Sequence, residues 1–179
     1  MPPDTLPRAR LKAKAIQWLA GREHSPTELR TKLQRWARKE LLAADRAASH
    51  DGEAIDRDAA QSRWAALQAD IDTALEELQG ANWLSEARFV ESRVRARSSG
   101  FGNRRITYEL AQHGLSLSAE ETQALAANEL ERAQRLIESR HGGPASDPRE
   151  RARQQRFLAG RGFSAEVISR ALKRQEDPR

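Results

Sequence analysis

A glycine pair followed by two arginines is the segment of this sequence that most suggests chemistry. Gly100-Phe101-Gly102 resembles the glycine-rich loops that bind phosphate groups, and Arg104 and Arg105 follow it closely. A nucleotide-binding loop, however, needs a strand before it and a Gly-Lys-Ser/Thr sequence after it, and neither is indicated here. The segment therefore predicts a tight turn between two helices, with Phe101 in the core.

Catalytic and metal-binding residue sets are not indicated. The sequence has no cysteine, and its four histidines, at positions 24, 50, 113 and 141, lack the spacing of metal ligands. Ser49-His50-Asp51 contains the residue types of a catalytic triad, but adjacent residues rarely form one. His113, followed by Gly114 and Leu115, predicts a helix C-terminus closed by a glycine. We expect neither an enzyme nor a bound cofactor or metal.

Arginines and lysines are the candidate binding residues. Arg104 and Arg105 lie in the predicted first turn of a helix, where the helix dipole disfavours cations and free amides attract anions. This arrangement suits a phosphate or carboxylate of a partner. A solvated surface with helical ion pairs, such as Glu91–Arg95, is an equally good interpretation. The candidate partner-binding residues are Arg88, Arg95, Arg97, Arg104, Arg105, Lys32, Arg35 and Arg153.

The four tryptophans also have two interpretations. Aromatic rings can stack on nucleic-acid bases. Three of the tryptophans, at positions 18, 36 and 64, fall on apolar helical stripes and are expected in the core instead. Trp83 lies in the predicted turn between Gly80 and Ser85, and both interpretations stay open for it.

The apolar residues that must position these side chains follow one frame three times. Ser25, Gly102 and Ser164 occupy predicted helix N-caps, and apolar residues stand four and eight positions after each of them. The residue before each cap can close the turn as a hydrophobic staple. Three copies in one register indicate an internal repeat. The residues involved are Leu29 and Leu33, Ile106 and Leu110, and Ile168 and Leu172, with His24, Phe101 and Phe163 before the caps.

A further helical pattern follows each of the first two copies. The first pattern runs from Trp64 to Leu78, and the second starts at a capping box, Ser118 to Glu121, and continues through Ala126 to Ile137. We predict an all-α, elongated tandem array of three-helix repeats, consisting of two three-helix units and a terminal helical hairpin. The predicted divisions are a flexible arm at 1–7, repeat 1 at 8–80 with an acidic insertion at 40–62, repeat 2 at 81–141 and repeat 3 at 142–179.

Composition and charge restrict the class of protein. Of the 179 residues 38% are hydrophobic and 32% are charged, and the net charge is +5. Both ends of the chain are basic, whereas residues 40–80 carry three Lys/Arg against ten Asp/Glu. Such asymmetry favours a polyanionic partner. The absence of cysteine, of a signal peptide and of a long apolar run predicts a cytoplasmic protein without membrane contact, and we expect a monomer.

Two stretches of the sequence resemble one known family. The first runs from Ala15 to Leu19 and from Arg22 to Leu33. The second runs from Trp83 to Val90 and from Gly100 to Ile106, with Glu109, Leu110 and Gly114 after it. Both are similar to repeats of the RecX regulatory proteins, and the resemblance covers roughly residues 9–38 and 64–174. The sequence departs from the family in Ser85, where an aspartate is usual, and in the longer insertion at 40–62.

This resemblance implies a modulator of the RecA recombinase that acts in DNA repair and the SOS response. Such proteins lie in the groove of the RecA–single-stranded DNA filament, where they limit filament growth and inhibit strand exchange and ATP hydrolysis. Weak direct contact with DNA is compatible with that role. Two other hypotheses remain. One is a direct nucleic-acid-binding protein that uses its hairpins as helix-turn-helix elements without RecA, and the other is a structural adaptor with no nucleic acid nearby.

Overall fold

Helices account for most of the part of the chain that the structure describes. The structure is a computed structural model and describes residues 6–48 and 57–173. Within these ranges it contains no strand, which confirms the predicted all-α fold. The helices there are α1 (Arg8–Leu19), α2 (Pro26–Ala48), α3 (Arg57–Gly80), α4 (Glu86–Ser98), α5 (Asn103–Ala111), α6 (Ala119–Ala127), α7 (Glu129–His141), α8 (Pro148–Gly160) and α9 (Ala165–Ala171).

The first of two compact units, Met1–Phe89, is built on three helices that share one core. Leu29 and Leu33 of α2 are fully buried, as the repeat frame predicts. Trp18, Trp36 and Trp64 pack against this core as the apolar stripes predict, but they are half-buried at its edge and not inside it. Full burial of one leucine contributes about 1.5–3 kcal/mol. The buried residues are Leu6, Leu11, Ala15, Leu29, Leu33, Ala37, Leu67, Ile71, Ala74, Leu75, Leu78 and Leu84.

The N-cap of α2 forms as the sequence predicts. The amide of Glu28 donates to Ser25 Oγ at 3.1 Å. Arg22 Nη1 donates to Glu28 Oε2 at 3.1 Å, and His24 Nδ1 lies 3.2 Å from Glu28 Oε1. His24 is 1% exposed, so an ionisable ring occupies the buried staple position of this cap.

We expect His24 to make the first unit less stable at acidic pH. Burial lowers the pKa of its imidazole below the ordinary 6.5, with help from the charges of Arg22 and Lys32 and against the charge of Glu28. The unfolded chain takes up this proton at the ordinary pKa, whereas the folded state resists it. The free energy of unfolding therefore falls as the pH falls below about 6.5. Urea denaturation followed by tryptophan fluorescence measures the effect, because all four tryptophans lie in the first unit.

The control for this prediction is His24→Phe, since Phe101 and Phe163 hold the same position in the other copies of the frame. Glu28 also has a lowered pKa: hydrogen bonds and charges from Arg22 and His24 outweigh the effect of burial, which would raise it. Its contribution to stability is lost only as the pH falls below its ordinary 4.5, so measurements above about pH 5 isolate His24. An equal fall in stability of wild type and variant would contradict the prediction.

The predicted flexible arm at 1–7 is too long. Leu6 is 5% exposed and belongs to the core of the first unit, and Pro7 is the N-cap of α1. An apolar residue just before a helix packs readily against it, and this anchors the chain at Leu6. Residues 1–5 lie outside the described residues.

Helix occupies much of the predicted acidic insertion at 40–62. α2 continues to Ala48 and α3 begins at Arg57, while residues 49–56 lie outside the described residues. Seven of its 23 residues are alanine, which is the best helix former. An ion pair of 3.0 Å between Arg63 Nη2 and Asp45 Oδ1 connects the two helices.

The second unit, Val90–Arg179, contains the other two copies of the repeat frame. Ile106 and Leu110 are fully buried, and Ile168 and Leu172 are also buried, as predicted. Ser164 caps α9 through a bond of 3.2 Å from the amide of Val167 to its Oγ. The frame therefore marks the buried face of the capped helix in all three copies.

α6 and α7 are two helices where the sequence predicts one. The capping box at the start is confirmed, because the amide of Glu121 donates to Ser118 Oγ and the amide of Ser118 donates to Glu121 Oε2. The helix then breaks at Asn128. The break changes the helical phase, so Leu125 faces inward and Ala126 is exposed, which corrects the predicted stripe.

α7 shares its core with the terminal hairpin formed by α8 and α9. Ala133 and Ile137 come from α7, and Leu158 from α8 lies against them. The predicted divisions of the chain at 80 and 141 remain a prediction. The core residues are Ala133, Ile137, Leu158, Phe163, Ile168, Ala171 and Leu172.

Candidate functional site

The glycine pair at 100–102 forms a turn between α4 and α5, as predicted, and this turn meets a second one. The amide of Gly102 donates to Arg161 O at 2.9 Å, and the amide of Arg104 donates to Gly162 O at 3.2 Å. A Cβ atom on Gly102 would stand 2.4 Å from Gly162 O and from the amide nitrogen of Phe163. The first glycine-rich turn is thus a backbone contact inside the second unit, and Phe101 is half-buried there.

The amides at the start of α5 are already occupied. Besides the bond from Arg104, the amide of Asn103 donates to Glu129 Oε1 at 2.8 Å. The expectation that these amides are offered to an outside phosphate or carboxylate is therefore wrong, because the chain supplies its own acceptors. Only the side chains of Arg104 and Arg105 remain for a partner.

Three arginines surround one buried acid beside this turn. Glu109 of α5 accepts bonds from Arg97 Nε at 2.8 Å and from Arg105 Nε at 3.0 Å, and Arg93 Nη1 lies 4.0 Å away. Burial alone would raise the pKa of Glu109, but the bonds from Arg105 and Arg97 and the charges of Arg97 and Arg93 lower it below the ordinary 4.5. The acid stays ionised, and the cluster keeps an excess of positive charge.

Sequence reasoning missed Glu109 because it looks like an ordinary acid of a mixed-charge helix. A usable signal was present, since Glu109 lies between the buried positions Ile106 and Leu110 of the repeat frame and four residues after Arg105. An acid at such a position has to be neutralised by neighbouring cations. The same signal was available for Arg132, which is 4% exposed and lies next to Ala133 in α7.

Arg88 has a structural role, because its guanidinium nitrogens donate hydrogen bonds within the first unit. Its Nε donates to Glu23 Oε1 at 2.8 Å, and its two terminal nitrogens donate to Asn82 and to the carbonyl oxygen of Trp83, each at 3.0 Å. These bonds hold the turn between α3 and α4, where Asn82 has a φ of 59°. The guanidinium of Arg88 is therefore engaged by the chain itself.

Arg95 and Arg153 are exposed and paired on their own helices. Arg95 Nη2 lies 2.6 Å from Glu91 Oε1, which confirms the predicted helical pair, and Arg153 Nη1 lies 3.2 Å from Glu150 Oε2. Exposed pairs of this kind contribute only about 0.2–0.5 kcal/mol, so a partner can replace them at little cost.

The candidate residues of α2 lie in the first unit. The Nζ atom of Lys32 stands 4.5 Å from the centre of the Trp18 ring, and burial lowers the pKa of this lysine. Arg35 is exposed. The structure therefore brings Arg97 and Arg105 together around Glu109, with Arg104 next to Arg105 in the chain. Lys32 and Arg35 are residues of α2 in the first unit.

Two aromatic rings are exposed to solvent. Trp83, for which both interpretations were open, is 52% exposed in the turn that Arg88 holds. Tyr108 of α5 is 58% exposed, and sequence reasoning missed it altogether. Tyr108 follows Arg104 by four residues, and the side chain of Arg104 makes no hydrogen bond or ion pair within the described ranges.

The surroundings of His113 and His141 indicate structural roles for both residues. Gly114 has a φ of 73°, and the amide of Leu115 donates to Leu110 O at 3.1 Å, which confirms the predicted glycine-closed end of α5 beside His113. His141 packs edge-on against Phe157 at 5.5 Å between ring centres. No group of three His, Asp or Glu side chains suited to a metal occurs among residues 6–48 and 57–173. Ser49-His50-Asp51 lies outside them.

None of the helices in the described ranges combines the length and the apolar character needed to cross a bilayer.

Comparisons with known proteins agree on one family. The model of the RecX second three-helix domain matches residues 85–118, and the model of the RecX third three-helix domain matches residues 127–172. Regulatory protein RecX of Leptothrix cholodnii is 38% identical over 169 residues, which cover 93% of this chain and 90% of that protein. Regulatory protein RecX of Pseudomonas entomophila is 39% identical over 164 residues, which cover 88% of this chain and 86% of that protein.

A solved structure has the same fold. The crystal structure of RecX from Lactobacillus salivarius matches with a TM-score of 0.58 at 15% identity, over 92% of this chain and 94% of that one. At this identity the likeness concerns the fold alone. The relatives at 38% and 39% identity are aligned over most of their length, so they bear on the family as well as on the fold. They show that this chain belongs to the RecX family of regulatory proteins.

Proposed function

We propose that the chain regulates RecA by binding in the groove of the RecA–single-stranded DNA filament, and that its main effect is inhibition of recombinase and ATPase activity. It acts as a binding protein without a catalytic step of its own, as a monomer in the cytoplasm. The observation that carries the proposal is membership of a family whose members are named regulatory proteins. The role in DNA repair and the SOS response belongs to the same proposal.

The arrangement of charge supports a filament as the partner. Arg104 and Arg105 lie in the first turn of α5, Arg97 lies near the end of α4, and the carboxylate that Arg97 and Arg105 share, Glu109, is buried. Lys32 and Arg35 provide a second basic surface in the first unit. A filament of protein and nucleic acid repeats its negative charges along its length and can meet several basic surfaces of one chain at once.

The direct test measures RecA-dependent ATP hydrolysis and strand exchange on single-stranded DNA, with the protein added from sub-stoichiometric to stoichiometric amounts. We expect both activities to fall as protein is added. Unchanged rates at a stoichiometric amount would refute the proposal.

The double replacement Arg104→Ala, Arg105→Ala is expected to weaken binding to the RecA filament about tenfold or more. Both side chains are exposed, and each lost charge contact removes an interaction of roughly 1 kcal/mol. Filament affinity measured by fluorescence anisotropy of labelled protein is the readout, and an unchanged circular dichroism spectrum shows that the variant folds. Arg170→Ala on α9, which removes an exposed arginine paired with Glu166, is the matched control. An affinity equal to that of the control would make the two arginines bystanders.

Direct nucleic-acid binding without RecA is the alternative, and the exposed Tyr108 beside Arg104 favours it. It predicts affinity for naked DNA that falls steeply with salt and depends on base sequence if a groove is read. Weak binding that is blind to sequence fits a filament regulator equally well. The RecA assay therefore decides between the two functions.

A further inference from the structure

The outward face of α5 combines an aromatic ring with two arginines. Tyr108 follows Arg104 by four residues and Arg105 by three, so the three side chains are neighbours on the helix surface, with Cβ atoms about 5–6 Å apart. Tyr108 is 58% exposed and makes no contribution to the core. The buried residues of the same helix are Ile106, Glu109 and Leu110.

This face carries positive charge that no exposed acid of the helix offsets. Glu109 is the sole acidic residue of α5, and it is turned inward against Arg97 and Arg105. Arg104 has no side-chain partner among the described residues. Arg105 donates to Glu109 through its Nε, and its two terminal nitrogens make no hydrogen bond within residues 6–48 and 57–173.

We propose that this face of α5 binds single-stranded nucleic acid, with one base stacked on the ring of Tyr108 and the adjacent phosphates paired with Arg104 and Arg105. Glu109 is a positioning residue: it holds the Nε of Arg105 and leaves the donors of that guanidinium free for a phosphate oxygen. The amides at the start of α5 take no part, since Glu129 and Gly162 already accept their hydrogen bonds.

The exposed ring selects a single strand over a duplex. A tyrosine on a rigid helix stacks on a base that is free of its own neighbours, and every base has such a face, so this contact tolerates any sequence. In a duplex the bases are stacked on each other, and only the phosphates remain for the arginines. The ring and the cations therefore contribute separate parts of the affinity, and salt screens only the second part.

The inference deepens the proposed function, because a RecA filament contains single-stranded DNA, and it rests on that function only for its biological setting. It is tested without RecA, on the full chain with a fluorescently labelled oligothymidylate and with a duplex of equal length. A failure of the proposed function would be seen in the RecA assay, whereas a failure of the α5 contact would be seen in this assay.

Tyr108→Ala is expected to weaken binding of the single strand about tenfold, within the range measured for one lost stacking contact. The slope of log K against log salt should stay unchanged, because no charge is removed. Tyr108→Phe, which keeps the ring, should bind within about twofold of the wild type. Affinity for the duplex should differ little between wild type and either variant.

Arg104→Gln should change the salt dependence of binding. We expect the magnitude of the slope of log K against log salt for the single strand to fall by about 0.7, which corresponds to the loss of one phosphate contact. Arg170→Gln, an exposed arginine of α9, and Leu42→Ala, an exposed apolar residue of α2, are the controls and should leave affinity for oligothymidylate nearly as it is. Circular dichroism melts verify folding, and exposure of Tyr108 predicts unchanged midpoints.

Several results would overturn the inference. Wild-type protein that binds no single strand at low salt is one of them. Equal affinity of Tyr108→Ala and wild type is another, as is an equal loss for single strand and duplex. A loss on the RecA filament with unchanged affinity for the free strand would assign Tyr108 to a contact with protein and refute the stacking role.

Discussion

Replacing Gly102 by alanine is expected to lower the free energy of unfolding of the second unit by about 3 kcal/mol, because the added methyl group meets backbone that cannot move aside. Its carbon would lie 2.4 Å from Gly162 O, 2.4 Å from the amide nitrogen of Phe163 and 2.5 Å from the carbonyl carbon of Gly162. To make room, the turn after α8 must leave the turn before α5, and the bonds from Gly102 and Arg104 across this contact would break.

Gly100→Ala is the matched control, two residues away in the same turn. A Cβ atom there would meet only the end of the Arg161 side chain, at 3.7 Å, so we expect a change below about 1 kcal/mol. Urea denaturation followed by circular dichroism measures both variants. Tryptophan fluorescence, which reports on the first unit alone, should change less than the circular dichroism signal in Gly102→Ala. If the two alanine variants lose stability equally, the close contact of the turns does not exist.

Gly162→Ala gives an independent check on the same contact from the other side. Gly162 has a φ of +84°, which L side chains rarely adopt, and its Cβ would stand 2.6 Å from Cβ of Arg105. Backbone strain therefore adds to the clash.

The repeat frame was accessible from sequence because it depends on local rules. The spacing of apolar residues after Ser25, Gly102 and Ser164 follows from helix geometry, and the bonds of Ser25, Ser118 and Ser164 to nearby amides follow from the capping preferences of serine. Each of these features involves residues fewer than ten positions apart. Such features are the part of a fold that a single sequence specifies most directly.

Contacts between distant segments account for what the sequence did not predict. Gly102 was expected at a turn, but its contact with Gly162 joins positions sixty residues apart. The amides of α5 were expected to be free because nothing in the local sequence places Glu129 against Asn103. The break at Asn128 likewise lies inside an unbroken helical pattern and moves the inward position from Ala126 to Leu125.

The arginines show this limit most clearly, since one residue type has three kinds of surroundings here. Arg104 is exposed and without a side-chain partner in the described ranges, Arg105 is half-exposed and tied to Glu109, and Arg132 is 4% exposed. The residues next to each of these arginines in the sequence do not reveal the difference. Only the tertiary fold separates an arginine that serves a partner from one that holds the chain together.

Arg132→Met is expected to lower the free energy of unfolding by about 3 kcal/mol, although it removes a buried charge. Burial lowers the pKa of Arg132, against the charge of Glu129, which indicates that the guanidinium is poorly hydrated. Replacing a buried ion by an apolar residue is often harmless when both partners become apolar. Here the partners are four main-chain carbonyl groups and a side-chain amide, which cannot be removed with it. The acceptors are the carbonyl oxygens of Ser98, Phe101, Leu125 and Asn128, at 3.1–3.4 Å, and Oδ1 of Asn103.

Each buried acceptor left without a donor costs about 1–3 kcal/mol, and water entering the gap recovers part of that, so a total of about 3 kcal/mol is the expected balance. Arg132→Lys should lose almost as much, because one ammonium group cannot reach acceptors on α6, on the turn at 98–103 and at Asn128 together. Arg135→Met, one turn further along α7, removes an exposed arginine whose pair with Glu131 spans 3.6 Å, and should change stability by less than about 0.5 kcal/mol. Chemical denaturation followed by circular dichroism compares the three variants. Equal stability of Arg132→Met and Arg135→Met would mean that desolvation of the charge cancels its five hydrogen bonds, and that the packing of α6 and α7 against the turn is held by apolar contacts alone.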